Sequence, residues 1–221
     1  TAVAPLHVLP TLWFRNTWAW GYPNGDEKPL LNTGTPDAVS IHHKGLGNAM
    51  LYSDTPDELL FCDNETNTAR LYNSPPMHPF YKDGINDYIT RNEKSVNPAN
   101  CGSKAAVHFK RMIIPGKPEV FRLRLSEAGI KKPFENFDKI FNDRIAEADL
   151  YYAELQKDIL NDELKKIHRQ AFAGMIWSKQ YYYYNVKKWL AGDPAGPTPA
   201  AERLQGRNHQ WVHLNNSDVI S

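Results

Sequence analysis

The chain has 221 residues, with 26 lysines and arginines against 25 aspartates and glutamates, so its formal net charge is +1. That balance gives no electrostatic footing for a nucleic-acid or acidic-membrane partner, and the length suits one large domain or two small ones. Two cysteines, Cys62 and Cys101, are too few for a disulfide-stapled secreted scaffold or a thiolate zinc site, although they allow one isolated bridge.

No run of about 18 apolar residues is present, so no membrane span is expected. The opening TAVAPLHVLP lacks the basic region of a signal peptide and an initiator Met, and it reads as the start of a piece cut from something longer. Low cysteine content favours the cytoplasm. Aromatic residues make up 12% of the chain, a density common both where proteins stack on sugars and in ordinary cores.

The first half reads as strands. Segments 5–14, 38–44, 48–53, 58–63 and 68–73 are short and apolar or β-branched, and turn-formers such as YPNGDEKP, TGTP, SDTPDE and NSPP separate them. This rhythm predicts an antiparallel β-sandwich over residues 1–127. Its last unit reads as a hairpin, in which 103–114 leads through Pro-Gly-Lys-Pro into 120–125. There Phe121, Leu123 and Leu125 alternate with Arg122 and Arg124, which predicts the apolar set inward and the guanidinium groups outward.

After residue 128 the period changes. Phe134, Phe137, Phe141, Ile145, Ala148, Tyr152 and Leu155 recur at spacings of three and four, predicting a helix over 137–157 within a connecting segment 128–160. A second helix is predicted over 162–191. Asn161 is its N-cap, Asp162 and Glu163 lie at the positive end of its dipole, and Gly192-Asp-Pro stops it. At 1.5 Å per residue that helix would run about 45 Å. A Pro/Gly-rich loop follows, and the segment 208–221 leads onward, so 161–221 reads as an all-α domain that has only begun.

The stretch AGMIWSKQYYYYNVKKWLAG (173–192) is apolar most of the way round. Such a helix is buried on most sides, and a buried Lys179 or Gln180 beside Trp177 needs a partner or a wet cavity, since burial without one costs several kcal/mol. The other candidates are weaker. DNETN (63–67) carries alternating oxygens but lacks the glycine and bidentate Glu of a calcium loop. Asn64 and Asn215 head formal glycosylation tripeptides. His42 and His43 point to opposite faces of one strand, and His168 and His209 have no partner at ligand spacing. No nucleophile elbow, phosphate loop or zinc helix motif occurs, so no catalytic residue, metal or cofactor is assigned.

Five stretches carry a resemblance: APLHVLPTLWFRNTWAWG (4–21), NETNTARLYN (64–73), YKDGINDYI (81–89), RQAFAGMIWSKQYYYYNVKKWLAGDP (169–194) and GRNHQWVHLNNSDVIS (206–221). Through them the chain resembles an internal segment of the large microbial glucosidase-like proteins of glycoside hydrolase family 63, relatives of the processing mannosyl-oligosaccharide glucosidase. The resemblance implies the later part of a β-sandwich followed by the first helices of an (α/α)6 toroid. It implies an inverting α-glycosidase, in which an acid carboxyl protonates the glycosidic oxygen while an opposed carboxylate, roughly 6.5–9.5 Å away, activates water. The family's acid Asp would follow shortly after Ser221 and its base Glu much later, so both lie outside these residues.

Trp177, Lys179 and Gln180 would then border the sugar pocket, and Trp211, Asn215 and Asp218 would approach it. The implied partners are an oligosaccharide or small glycoside and the remainder of the same polypeptide. The alternative is a non-catalytic carbohydrate-binding or structural fragment.

Overall fold

A computed structural model describes residues 2–23, 25–127 and 129–220. The expected turn at Asn24 and the loop start at Ala128 lie outside the described residues, as do the terminal Thr1 and Ser221. Antiparallel sheets come first and helices predominate later, in two compact units: Thr1–Ala19 with Pro23–Glu135, and Trp20–Tyr22 with Asn136–Ser221.

The first unit contains β1 (Ala4–Val8), β2 (Thr11–Trp13), β3 (Leu30–Thr35), β4 (Ala38–His43), β5 (Gly47–Ser53), β6 (Glu58–Cys62), α1 (Thr68–Tyr72), α2 (Gly84–Arg91), β7 (Cys101–Gly102), β8 (Lys104–Ile113) and β9 (Leu123–Ser126). One sheet of five strands runs β7-β3-β4-β5-β9. In the other, β8 pairs with β1 and β2 and also with β6. Leu31, Val39, Ile41 and Ala49 of the first sheet close on Phe61 and Ala105 of the second. Leu60, Cys62 and Ala106, next along the same strands, pack instead against Ile85 of α2. Both faces of β6 are therefore covered, which explains why ELLFC reads as an unbroken apolar run rather than an alternation. Phe61 is fully buried, and truncating it to Ala would cost about 3–5 kcal/mol.

Three expectations for this unit are corrected. The segment 5–14 is two strands, because Pro10 has no N–H to donate and breaks the ladder, although its carbonyl still accepts from Val107 N–H at 2.9 Å. The segment 68–73 is helical. The Asn67 side chain caps the Arg70 N–H at 3.1 Å, Asn73 ends the turn in left-handed backbone at φ 53°, and the Arg70 guanidinium is clamped by Asp83 at 2.6 Å and by the buried Asp87. The expected hairpin of 103–114 with 120–125 does not form. Strands β1 and β2 line one edge of β8 and β6 takes the other over 104–108; after Gly116, at φ 71°, the chain crosses to the other sheet, where β9 pairs with β5. The expected alternation fails with it. Leu125 is exposed, while Arg122 and Arg124 are half-buried, Arg122 against Asp54 at 3.6 Å and Arg124 donating to the Pro133 carbonyl at 2.8 Å. Strand β3 and helix α2 had no clear signal in the sequence.

In the second unit, α3 (Phe137–Leu155) and α4 (Asp162–Trp177) follow the predicted period, and Asn161 caps α4 by accepting from the N–H groups of Glu163 and Leu164. The two helices meet through Gln156, which donates to the Lys165 carbonyl at 2.8 Å, and through the Tyr152, His168 and Phe172 rings. Arg169 pairs with Asp149 at 2.5 Å and lies over the Tyr152 ring. The expected continuous helix over 162–191 is corrected. It stops at Trp177, and the chain then forms β10 (Gln180–Asn185), α5 (Val186–Ala191) and finally β11 (Asn215–Ile220), which pairs with β10. Tyrosine favours pleated backbone over helix, and a run of four, Tyr181 to Tyr184, tips the balance once a partner strand is present. The expected burial of this stretch fails as well. Trp177, Lys179 and Gln180 are exposed, so Lys179 and Gln180 carry no burial cost. No helix among the described residues is long and apolar enough to cross a membrane.

The core of the first unit holds a titratable network around His108. His108, with no exposed surface, donates from Nδ1 to Glu58 at 2.8 Å, so in its neutral form its Nε2 accepts from His7 Nδ1, also at 2.8 Å. Tyr88 and Lys110 complete the ring around Glu58 at 2.8 and 3.2 Å. Burial holds the His108 pKa below its ordinary value against the opposing pull of Glu58. Burial also pushes Glu58 up, but hydrogen bonds from Tyr88, His108 and Lys110 outweigh it and leave the carboxyl below the usual range.

The unfolded chain therefore takes up the imidazole proton more readily than the folded one. The stability that neutral His108 contributes is complete at neutral pH and is lost as pH falls from about 6.5 toward the depressed folded value. Urea unfolding should show a lower midpoint at about pH 5 than at about pH 7, and His108→Asn should flatten that dependence. A slope unchanged by the substitution would contradict this assignment.

Candidate functional site

The β10–β11 ribbon is built from two segments far apart in sequence, joined in antiparallel register from Gln180 opposite Ile220 to Asn185 opposite Asn215. Alternation places Gln180, Tyr182, Tyr184, Asn216, Asp218 and Ile220 on one face, and Tyr181, Tyr183, Asn185, Asn215, Ser217 and Val219 on the other. A diagonal hydrogen bond between the Tyr181 and Ser217 hydroxyls at 2.6 Å ties the second face, where the Tyr181 and Tyr183 rings lie 6.3 Å apart and nearly parallel.

Asn185 ends the strand and starts the next helix. Its side chain accepts from the Lys188 N–H at 2.9 Å, capping α5, while Val186 is fully buried beneath it. Gly192, at φ 75°, ends α5. The Trp20–Tyr22 segment joins this unit through the Ala195 N–H, which donates to the Trp20 carbonyl at 3.0 Å. Gly21 between them has φ 78°, and a Cβ there would stand 2.6 Å from that of Ala195, so only glycine fits.

These elements enclose a pocket of about 400 Å³ walled by Trp20, Tyr22, Tyr183, Tyr184 and Trp189 and fringed by Asn185, Lys188, Asp193 and Arg203. Tyr22 donates its hydroxyl to Asp193 at 3.0 Å, and that bond, with lesser help from burial, raises the phenol's pKa. Lys188 lies 5.1 Å from the centre of the Tyr22 ring and 5.6 Å from that of Tyr183, and its hydrogen bond with Tyr183 raises its pKa, so it stays charged. Arg203 lies 4.1 Å over the Trp189 ring and donates to the Trp189 carbonyl at 3.0 Å. The cations are thus held on aromatic faces. Chemically the arrangement offers flat apolar walls together with an acceptor in Asp193 and donors in Asn185 and Lys188, which suits a polyhydroxylated ligand.

The residues singled out from sequence fall beside this pocket rather than in its wall. Trp177 ends α4 with 88% of its surface exposed, and Lys179 lies in the link to β10. Gln180 and Asp218 share one face of the ribbon, while Asn215 lies on the other. Trp211 is half-exposed in the turn before β11, stacked near His213. The wall residues Tyr22, Lys188, Asp193 and Arg203 were not identified from sequence. The only local hint of them was Gly21 between two aromatics.

DNETN serves structure. Asp63 pairs with Lys28 at 2.9 Å, Glu65 accepts from Asn16 and Trp18, and Asn67 caps α1. Among the described residues no group of three or more His, Cys, Asp or Glu side chains is arranged to hold a metal ion. Cys62 and Cys101 are free thiols, and burial pushes the Cys62 pKa up to about 12, which removes it as a nucleophile.

No protein-family model and no solved structure matches the chain. It is 33% identical over 254 aligned residues to the uncharacterized protein YMR196W of Saccharomyces cerevisiae. The alignment takes in 98% of this chain and 23% of that relative, so the chain spans about a quarter of the relative's length.

Asp193→Asn should bring the Tyr22 phenol pKa back down toward the ordinary value, because the carboxylate that holds its proton is gone. A pH titration of carbon-13-labelled tyrosine, with Tyr22 assigned through Tyr22→Phe, reads this directly. A Tyr22 resonance that titrates identically in both proteins would contradict the geometry.

Proposed function

We propose that the chain is a segment of an inverting α-glycosidase of the family 63 type, acting on α-glucosides, in which a β-sandwich precedes an (α/α)6 catalytic toroid. The observation that carries this reading is the β10–β11 ribbon. The last two segments of that resemblance, 169–194 and 206–221, pair with each other through 180–185 and 215–220 and bring Gln180 and Asp218 onto one tyrosine-lined face. Aromatic planes suit the apolar faces of pyranose rings, and amides and carboxylates suit their hydroxyls.

The exposed apolar faces add support. Helices α3 and α4 leave Ile140, Phe141, Leu150, Leu164, Met175 and Trp177 open to solvent, an area that further toroid helices of a longer polypeptide would cover. In this reading Trp177, Lys179, Gln180, Trp211, Asn215 and Asp218 contribute sugar contacts. The acid Asp and the base Glu come from the rest of the polypeptide, the first protonating the leaving oxygen and the second activating water on the opposite face.

The test is hydrolysis of an α-glucoside by the natural full-length polypeptide, with the product anomer followed by proton NMR. Initial release of β-glucose is expected, and retention or an absence of hydrolysis would overturn the reading. In the same protein, Trp177→Ala and Trp211→Ala should raise KM or lower kcat several-fold with folding preserved. Unchanged constants would remove both residues from the site.

A further inference from the structure

We infer that the pocket formed around Tyr22, Tyr183, Lys188 and Asp193 is a binding site for an uncharged hexopyranose ring, distinct from the residues the sequence singles out. The inference deepens the glycosidase reading and takes its ligand class from it, but it rests on a different set of side chains. At about 400 Å³ the pocket falls within the roughly 300–1,000 Å³ of small-molecule sites.

The hydrogen-bonding capacity left open defines the ligand. Asp193, which lines the pocket, receives one bond from Tyr22, and a carboxylate has about four acceptor positions, so it can accept further bonds from a ligand. Asn185 spends its carbonyl oxygen on the helix cap, which leaves its amide N–H groups to donate. Lys188 adds ammonium donors above the tyrosine rings. Vicinal hydroxyls, each both donor and acceptor, match a carboxylate beside an amide and an ammonium, while the ring's C–H face matches the phenol planes.

Charge argues for a neutral sugar. Lys188 is already engaged with the Tyr22 and Tyr183 rings, and Arg203 with the Trp189 ring and carbonyl. A ligand carboxylate set beside Asp193 would meet a like charge and could not donate to it. A sugar hydroxyl donates to that carboxylate without repulsion and still accepts from Lys188 or Asn185.

The experiment uses the natural full-length protein and measures binding of glucose, maltose and glucuronate by calorimetry and saturation-transfer NMR, alongside hydrolysis of an α-glucoside. Glucose or maltose should bind, and more tightly than glucuronate. Asp193→Ala should weaken binding about tenfold, the loss of hydrogen bonds to a charged group. Tyr22→Phe, which keeps the ring, should weaken it by a smaller factor and serves as the second variant if Asp193→Ala fails to fold.

Hydrolysis with glucose binding unaffected by both variants would overturn the pocket assignment and leave the glycosidase reading standing. Glucose binding that depends on Asp193 without hydrolysis would uphold the pocket and remove the glycosidase. No binding of any neutral sugar, or tighter binding of glucuronate, would overturn the inference.

Discussion

The pairing of β10 with β11 is the interaction on which the second unit depends. A run of tyrosines preceded by sixteen helical residues in α4 has two outcomes open to it, and propensity alone separates them by a fraction of a kcal/mol per residue. The segment Asn215–Ile220 decides between them by supplying a complete ladder of backbone partners. Once the strand forms, its alternation sends Tyr182 and Tyr184 to one face and Tyr181 and Tyr183 to the other. Asn185 is then left at the strand end with its side chain free to cap α5. The cap, the turn at Gly192 and the position of Asp193 follow in order, and so does the pocket.

The first unit solves its polar problem differently. Two of its buried ionisable groups are given polar partners: Asp87 is held between Arg70 and Arg91, which keep its carboxyl below the usual range, and His108 is held between Glu58 and His7. Both arrangements join elements distant in sequence. The first ties α1 to α2, and the second ties β1 and β6 to opposite edges of β8. Removing one member would leave a buried polar group unpaired, the expensive kind of loss. In the second unit the pocket cations Lys188 and Arg203 lie on aromatic rings near solvent.

What could be read from sequence was local. Residues 38–43, 47–53 and 58–62 are strands because their own side chains fit a covered pleated surface, and α3 and the Asn161 cap of α4 follow from spacing and side-chain chemistry within a few residues. What could not be read was settled at a distance. TARLY is helical because Asp83 and Asp87, well downstream, hold Arg70. The expected hairpin failed because β5, far upstream, takes Leu123–Ser126 as its partner strand. The resemblance implied a sugar border at Trp177, Lys179 and Gln180, whereas the pocket is lined by Tyr183 and Tyr184, a few residues on. Its partner Asp193 meets Tyr22 across 171 positions, a pairing that no motif announces.

The most direct test of this account is the backbone conformation of the tyrosine run. In protein labelled selectively on tyrosine, NMR should give extended-type shifts for Tyr181 to Tyr184 and cross-strand contacts to the segment 216–219. Helical shifts with contacts between residues three apart through 178–185 would contradict it, and would remove the ribbon and the pocket together.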